Sequence, residues 1–236
     1  MRPGCAAASA GLILSAILSI CQCLAEMPAI QELKLPPLRI EGRPARAHTQ
    51  GLEIMDGQYY VTARRDDVLP RRALLLRTAP ARSAWDVWNL TPSADSRNGP
   101  GQELNHPGGM QSDGKHLWIP VAQSRRGGRS VVRAFSVAEL QPGKPAAPDL
   151  EFTVNDHIGA IAVSPERQEI LGASWDTENI YVWDFAGRLK RQWTAAELKT
   201  RQLGVAAGGS DGRSGVAVQD WKILGNRLYA SGLFKT

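Results

Sequence analysis

His106-Pro-Gly-Gly-Met-Gln-Ser-Asp113-Gly114-Lys-His-Leu-Trp-Ile-Pro-Val121 reads as a short strand, a tight turn and a second, apolar strand. Asp113-Gly114 carries the turn, because both residues tolerate the positive φ that a two-residue hairpin needs. The same phrase recurs along the chain. An earlier copy runs from His48 to Ala63 around Asp56-Gly57. A third runs from His157 to Ser174, and a fourth from Gly215 to Ser231 around Gly225-Asn226. Self-similarity of this kind is sought before single motifs, since it decides the architecture.

Working outward, each hairpin is followed by further strand-like runs. These are Ala73–Arg77 and Trp85–Leu90, then Ser130–Val137 and Leu150–Val154, then Ile180–Phe185 and Leu189–Trp193. The unit is thus four strands, with a period of about 50 residues, the size of a β-propeller blade. Helical periodicity is nearly absent; Ala195–Arg201 predicts at most one helical turn. The 23 Gly and 15 Pro of the 236 residues fit a turn-rich β protein. The expected class is all-β, a propeller of four-stranded blades.

The first 25 residues stand apart. Arg2 precedes an apolar run from Ala6 to Ile20, the length of a signal-peptide core and short for a membrane span. Small residues Cys23 and Ala25 predict cleavage before Glu26. The expected division is therefore a signal peptide at 1–25 and a propeller domain at 26–236, secreted or periplasmic. All three cysteines (Cys5, Cys21, Cys23) lie in the leader, so the mature chain has no thiol nucleophile, zinc-thiolate site or disulfide. No membrane span is expected after the leader. Arg64-Arg65, Arg71-Arg72 and Arg125-Arg126 lie beside turns without interleaved aromatics, and the net charge is a modest +5. They read as solvated loops rather than a nucleic-acid surface.

In a propeller the innermost strands line a central channel, and the loops that enter them gather at one mouth. His48, His106 and His157 each open an innermost strand. Gly108 and Gly109, Gln123, Asp156, Trp175, Gln219 and Asp220 fall in or beside the same loops. Imidazoles from several blades can bind a ligand or a divalent metal, or act as acid and base. They can equally fix the blade-to-blade turns by hydrogen-bonding the backbone. Both readings stand at this level. Two functions follow: a binding propeller taking a small or extracellular ligand through the His106 and His157 loops, or a metal-dependent lactonase- or esterase-like hydrolase. No G-x-S-x-G, H-E-x-x-H, P-loop or G-x-G-x-x-G occurs. Asn89-Leu90-Thr91 fits a glycosylation sequon.

The stretch His106–Ala122 resembles the central motif of a family of secreted, six-bladed-propeller-like proteins defined only as a domain of unknown function. His157-Ile-Gly-Ala-Ile161, Gly172-Ala-Ser-Trp175 and Gln219-Asp220 resemble its later motifs. The resemblance spans roughly 45–235 and implies a fold and an export route, not a reaction. Gln123 stands where an acidic residue is expected. The fourth copy has only its first two strands before Thr236. About 3.5 blades of a six-bladed parent are therefore expected, C-terminally truncated; Leu35–Ile40 is expected to supply one outer strand, which still leaves the ring short. Such a parent is expected to be a monomer when complete.

Overall fold

The computed structural model describes residues 32–92, 102–194, 196–197 and 216–234. Leu35–Thr236 group as one compact unit. The predicted leader at 1–25 lies outside the described residues, as does most of the helical turn predicted at Ala195–Arg201. The protein is all-β. Its regular elements are antiparallel strands, interrupted by single 3-10 turns at Val137–Glu139 and Trp175–Thr177.

The chain opens with a small hairpin, β1 (Arg39–Ile40) and β2 (Arg43–Pro44). The first large sheet follows as β3 (Ala47–Met55), β4 (Gln58–Arg65), β5 (Arg72–Thr78) and β6 (Asp86–Asn89), each strand beside the next. Asp56 and Gly57 take φ of 49° and 70°, the double positive-φ turn predicted from their sequence.

The second sheet begins with an innermost strand in two pieces, β7 (Leu104–Pro107) and β8 (Gln111–Ser112). Both pair with β9 (His116–Gln123), which continues to β10 (Ser130–Ser136) and β11 (Leu150–Val154). The Asp113-Gly114 turn differs from the two-residue hairpin expected. Ser112 pairs with Leu117, so four residues form the loop. Asp113 organises it: its carboxylate accepts the backbone N–H of Lys115 (2.8 Å) and His116 (2.7 Å), and the Trp118 indole N–H (2.8 Å).

The third sheet is β12 (Ile158–Ser164), β13 (Glu169–Ser174), β14 (Asn179–Asp184) and β15 (Leu189–Thr194). The last is the pair β16 (Val216–Leu224) and β17 (Arg227–Phe234). The N-terminal segment expected to add one outer strand to this sheet does not do so. Arg39–Ile40 pairs with Arg43–Pro44 instead. Leu38 and Ile40 pack on Val61, Ala63, Leu74 and Leu76, on the outward face of the first sheet. An apolar face without a neighbouring sheet is a better place for these side chains than a polar strand edge.

The sheets pack face to face in chain order. Tyr60, Leu75 and Trp88 of the first meet Leu117, Ile119 and Val131 of the second. Trp118 and Val132 of the second meet Ile161, Ile170 and Trp183 of the third. Ala160, Ala162 and Ala173 of the third make room for Trp221 of the fourth. Side chains alternate between faces along a strand, so each of the first three sheets serves two cores.

The four innermost strands share one irregularity. A register shift falls between Thr49 and Gly51, Leu104 and His106, Ile158 and Ala160, and Val218 and Asp220. Each bulge bends its strand at the corresponding point. There the strands meet. Gly109, between β7 and β8, donates to the Gly159 carbonyl (2.9 Å) and accepts from Ile161 N–H (3.2 Å). A Cβ on Gly109 would stand 2.5 Å from Asp220 Cα, and one on Gly108 2.4 Å from the Gly159 carbonyl oxygen. No residue but glycine fits this approach. Asp220 Oδ2 in turn accepts Leu52 N–H (3.1 Å), joining the last sheet to the first.

Candidate functional site

Where the innermost strands begin, three rings come together. The His106 and His157 centroids are 5.2 Å apart, and Trp175 sets its edge against His157 at 4.6 Å. His106 lies on β7, His157 just before β12, and Trp175 opens the 3-10 turn after β13. The second and third sheets therefore build the site jointly.

Each imidazole has a defined proton. His157 Nδ1 is 2.7 Å from the Gln123 carbonyl, which can only accept, so Nδ1 carries the hydrogen and Nε2 is left as an acceptor. The Gln50 amide nitrogen faces His106 Nε2 at 3.4 Å and donates to it. The His106 proton is then on Nδ1, which is buried and has no partner among the described residues. Burial, and then the neighbouring His157, push the His106 pKa down to about 3. Burial lowers that of His157 as well, against the opposing pull of the Gln123 carbonyl. Both rings are neutral at physiological pH.

The Trp175 turn is held under strain. Asp176 and Thr177 take φ of 54° and 56°, a region that costs non-glycine residues about 1 kcal/mol or more and suits a β-branched one poorly. Arg126 fastens the turn by binding Asp176 (2.6 Å) and Glu178, and its guanidinium lies 5.8 Å from the Trp175 ring centroid.

The remaining residues singled out in the sequence separate into three groups. Asp156 is structural. Its Oδ1 accepts His157 N–H (2.8 Å), while Oδ2 accepts the Asn179 amide (3.0 Å) and the Tyr181 hydroxyl (2.9 Å), whose pKa burial raises well above the phenol range. Gln123 is also fully engaged: its amide N–H groups go to Gln102, and its oxygen accepts Arg129 N–H (3.0 Å) and the Arg125 guanidinium (3.1 Å). Gly108, Gly109, Gln219 and Asp220 lie at the strand convergence rather than against the rings. His48 is exposed, opposite Arg64 across the β3–β4 ladder, and makes no ring contact with the other two histidines. Three histidines around one mouth thus reduce to a pair.

Sequence reasoning missed Gln50 and Arg126 here, and a polar cluster at the convergence. Lys222 donates to Asp220 Oδ1 (2.7 Å) and to the Met110 carbonyl, and lies 3.8 Å from Glu53. Burial raises the Glu53 pKa to about 7 against the pull of Lys222, and raises that of Asp220 too. The available signal for Gln50 was its place in the bulge. Each bulge skips one residue, and in three strands that residue is a side-chain amide: Gln50, Asn105 or Gln219. Among the described residues, no group of three or more His, Cys, Asp or Glu is arranged to hold a metal ion, and no helix is long and apolar enough to cross a membrane.

The fold and site define an all-β protein of serially packed antiparallel sheets, with a neutral imidazole pair where two innermost strands begin. Residues 96–228 match the model of a family of unknown function (DUF6454), and the chain belongs to that family. No curated protein matches it.

Proposed function

We propose that this is an exported β-propeller-type protein that binds a small, uncharged ligand at the mouth formed by the His106 and His157 loops. The observation that carries the binding reading is the ring cluster. Two neutral imidazoles and an indole offer flat apolar faces, and His106 Nδ1 is a buried donor with no hydrogen-bond partner among the described residues. Such a surface suits a ring-shaped molecule with polar edges. An anion gains little from uncharged imidazoles. The metal-dependent lactonase or esterase reading has less support, because Asp156 and Gln123 already serve neighbouring groups.

The propeller reading is supported by the ordered four-strand sheets, the bulge common to the innermost strands and the Leu52–Asp220 link between the first and last sheets. Export is supported by the apolar leader. The mature protein from an exporting host is expected to begin at Glu26, as N-terminal sequencing will show.

The binding reading is tested with the full chain. Ligand-observed NMR against a panel of neutral sugars, lactones and nucleosides is expected to give at least one saturable binder. Trp175→Leu weakens it roughly tenfold, the value of losing a ring contact of about 1.4 kcal/mol. Equal binding by Trp175→Leu removes the site. Chelator-sensitive turnover of a lactone or p-nitrophenyl acetate replaces the binding reading with the hydrolase one.

A further inference from the structure

The outward face of the first sheet carries a cleft that the imidazole site does not use. Its volume is about 540 Å³, within the range of small-molecule sites. Arg39, Arg65, Arg72, Leu74 and Trp85 line it, between the β1–β2 hairpin and the β5–β6 edge. We propose that it binds an organic oxyanion on a flat, apolar body.

Three observations lead there. First, Arg65 and Arg72 are direct partners across the β4–β5 ladder. Like charges placed opposite one another destabilise a sheet unless something lies between them. Arg65 has Asp67 at 2.9 Å, whereas Arg72 has no carboxylate partner among the described residues. Arg39 adds a third cation, its guanidinium donating, among the described residues, to the Gly42 carbonyl (3.2 Å).

Second, the buried carboxylate in the wall is already neutralised. Asp86 accepts from Arg77 (2.8 Å) and from Arg82 (2.5 Å), and these hydrogen bonds hold its pKa below the usual carboxylate range. It cannot also balance the three lining arginines. Glu41, at the exposed hairpin tip, is the other lining carboxylate. The cleft therefore carries an excess of positive charge.

Third, the floor is apolar. Leu74 follows Arg72 on the same face, and Trp85 satisfies its indole N–H by donating to the Pro36 carbonyl (2.7 Å). With that polar edge engaged, the indole offers the cleft apolar surface. A guanidinium fork above an aromatic and aliphatic floor matches a carboxylate or phosphate attached to a ring. The cleft is separate from the imidazole pair: none of His106, His157 and Trp175 lines it, and they stand on the second and third sheets.

The test uses the full chain and 2-naphthoate, followed by fluorescence anisotropy. Saturable binding is expected, at least tenfold tighter than that of the neutral 2-naphthamide and at least tenfold weaker in Arg72→Gln. 2-Naphthyl phosphate in parallel identifies the preferred head group by its relative affinity. If Arg72→Gln melts early, Arg39→Gln on the exposed hairpin carries the same expectation. Trp175→Leu should leave naphthoate affinity unchanged, which separates this cleft from the imidazole site. Equal affinity for naphthoate and naphthamide overturns the proposal, as does unchanged affinity in a folded arginine variant. Displacement by inorganic phosphate at the concentration where naphthyl phosphate binds also overturns it, by marking an adventitious ion only.

Discussion

Gly108 and Gly109 do what no other residue can do at their positions. Between them they let the second sheet's innermost strand leave its own sheet, bond to Gly159 and touch Asp220. The obstacles to a methyl group there are mainly backbone atoms of neighbouring strands, which cannot rotate away. Gly109→Ala is expected to cost at least about 3 kcal/mol, the upper end for overpacking. The change should appear as a lower urea midpoint, while Gly143→Ala, with open space around its Cβ but a φ of 78°, pays only the backbone strain of about 1 kcal/mol. Equal losses in the two variants would mean that the convergence is looser than its distances say. The glycines were visible in the sequence as a pair beside a histidine. Their reason was not, because it lies in strands about 50 and about 110 residues further along the chain.

Two Asp-Gly pairs that look alike make different turns, and the difference belongs to the elements they join. Asp56-Gly57 connects uninterrupted strands of nine and eight residues and needs only positive φ from both positions. Asp113-Gly114 follows a two-residue fragment of a broken strand. Its loop is held by side-chain bonds, with Asp113 accepting from two backbone N–H groups and an indole. Asp113→Ala is expected to lower stability by about 2–3 kcal/mol, since it leaves those donors unpaired. Asp56→Ala should cost about 1 kcal/mol, the strain of alanine in the left-handed region. Thermal or urea unfolding of the two variants checks the order, and a larger loss at Asp56 contradicts it. Strand pattern and turn residues were enough to place nearly every strand. They could not place Leu35–Ile40, whose apolar residues fit any uncovered face. Nor could they reveal the imidazole pair, because the spacing of His48 matches that of His106 and His157 while its surroundings do not. His106 and His157 face a neighbouring sheet, whereas His48 faces solvent.

Across the whole molecule, two groups of half-buried or buried titratable residues pull stability in opposite directions with pH. His106 and His157 have folded pKa values below the ordinary imidazole value. Their contribution is complete above about pH 6.5 and is lost as the pH falls through the depressed folded values. Glu53 and Asp220, which tie the first sheet to the last around Lys222, have raised values, that of Glu53 reaching about 7. Their contribution is complete below the unfolded carboxyl range and is lost as the pH rises through the folded values. Ionising Glu53 leaves Oε2 as a buried charge without a hydrogen bond, only partly balanced by Lys222 at 3.8 Å. Stability should therefore peak near about pH 6 and decline on both sides. The alkaline decline belongs to the junction of the first and last sheets, and the acid decline to the ring cluster between the second and third. Glu53→Gln keeps the shape and removes the charge, so its urea midpoint should hold steady between about pH 6 and about pH 8 where the wild type falls. The acid limb should survive unchanged in the same variant. If Glu53→Gln declines as steeply as the wild type between about pH 6 and about pH 7, the Glu53–Lys222–Asp220 junction is not what sets the alkaline limit.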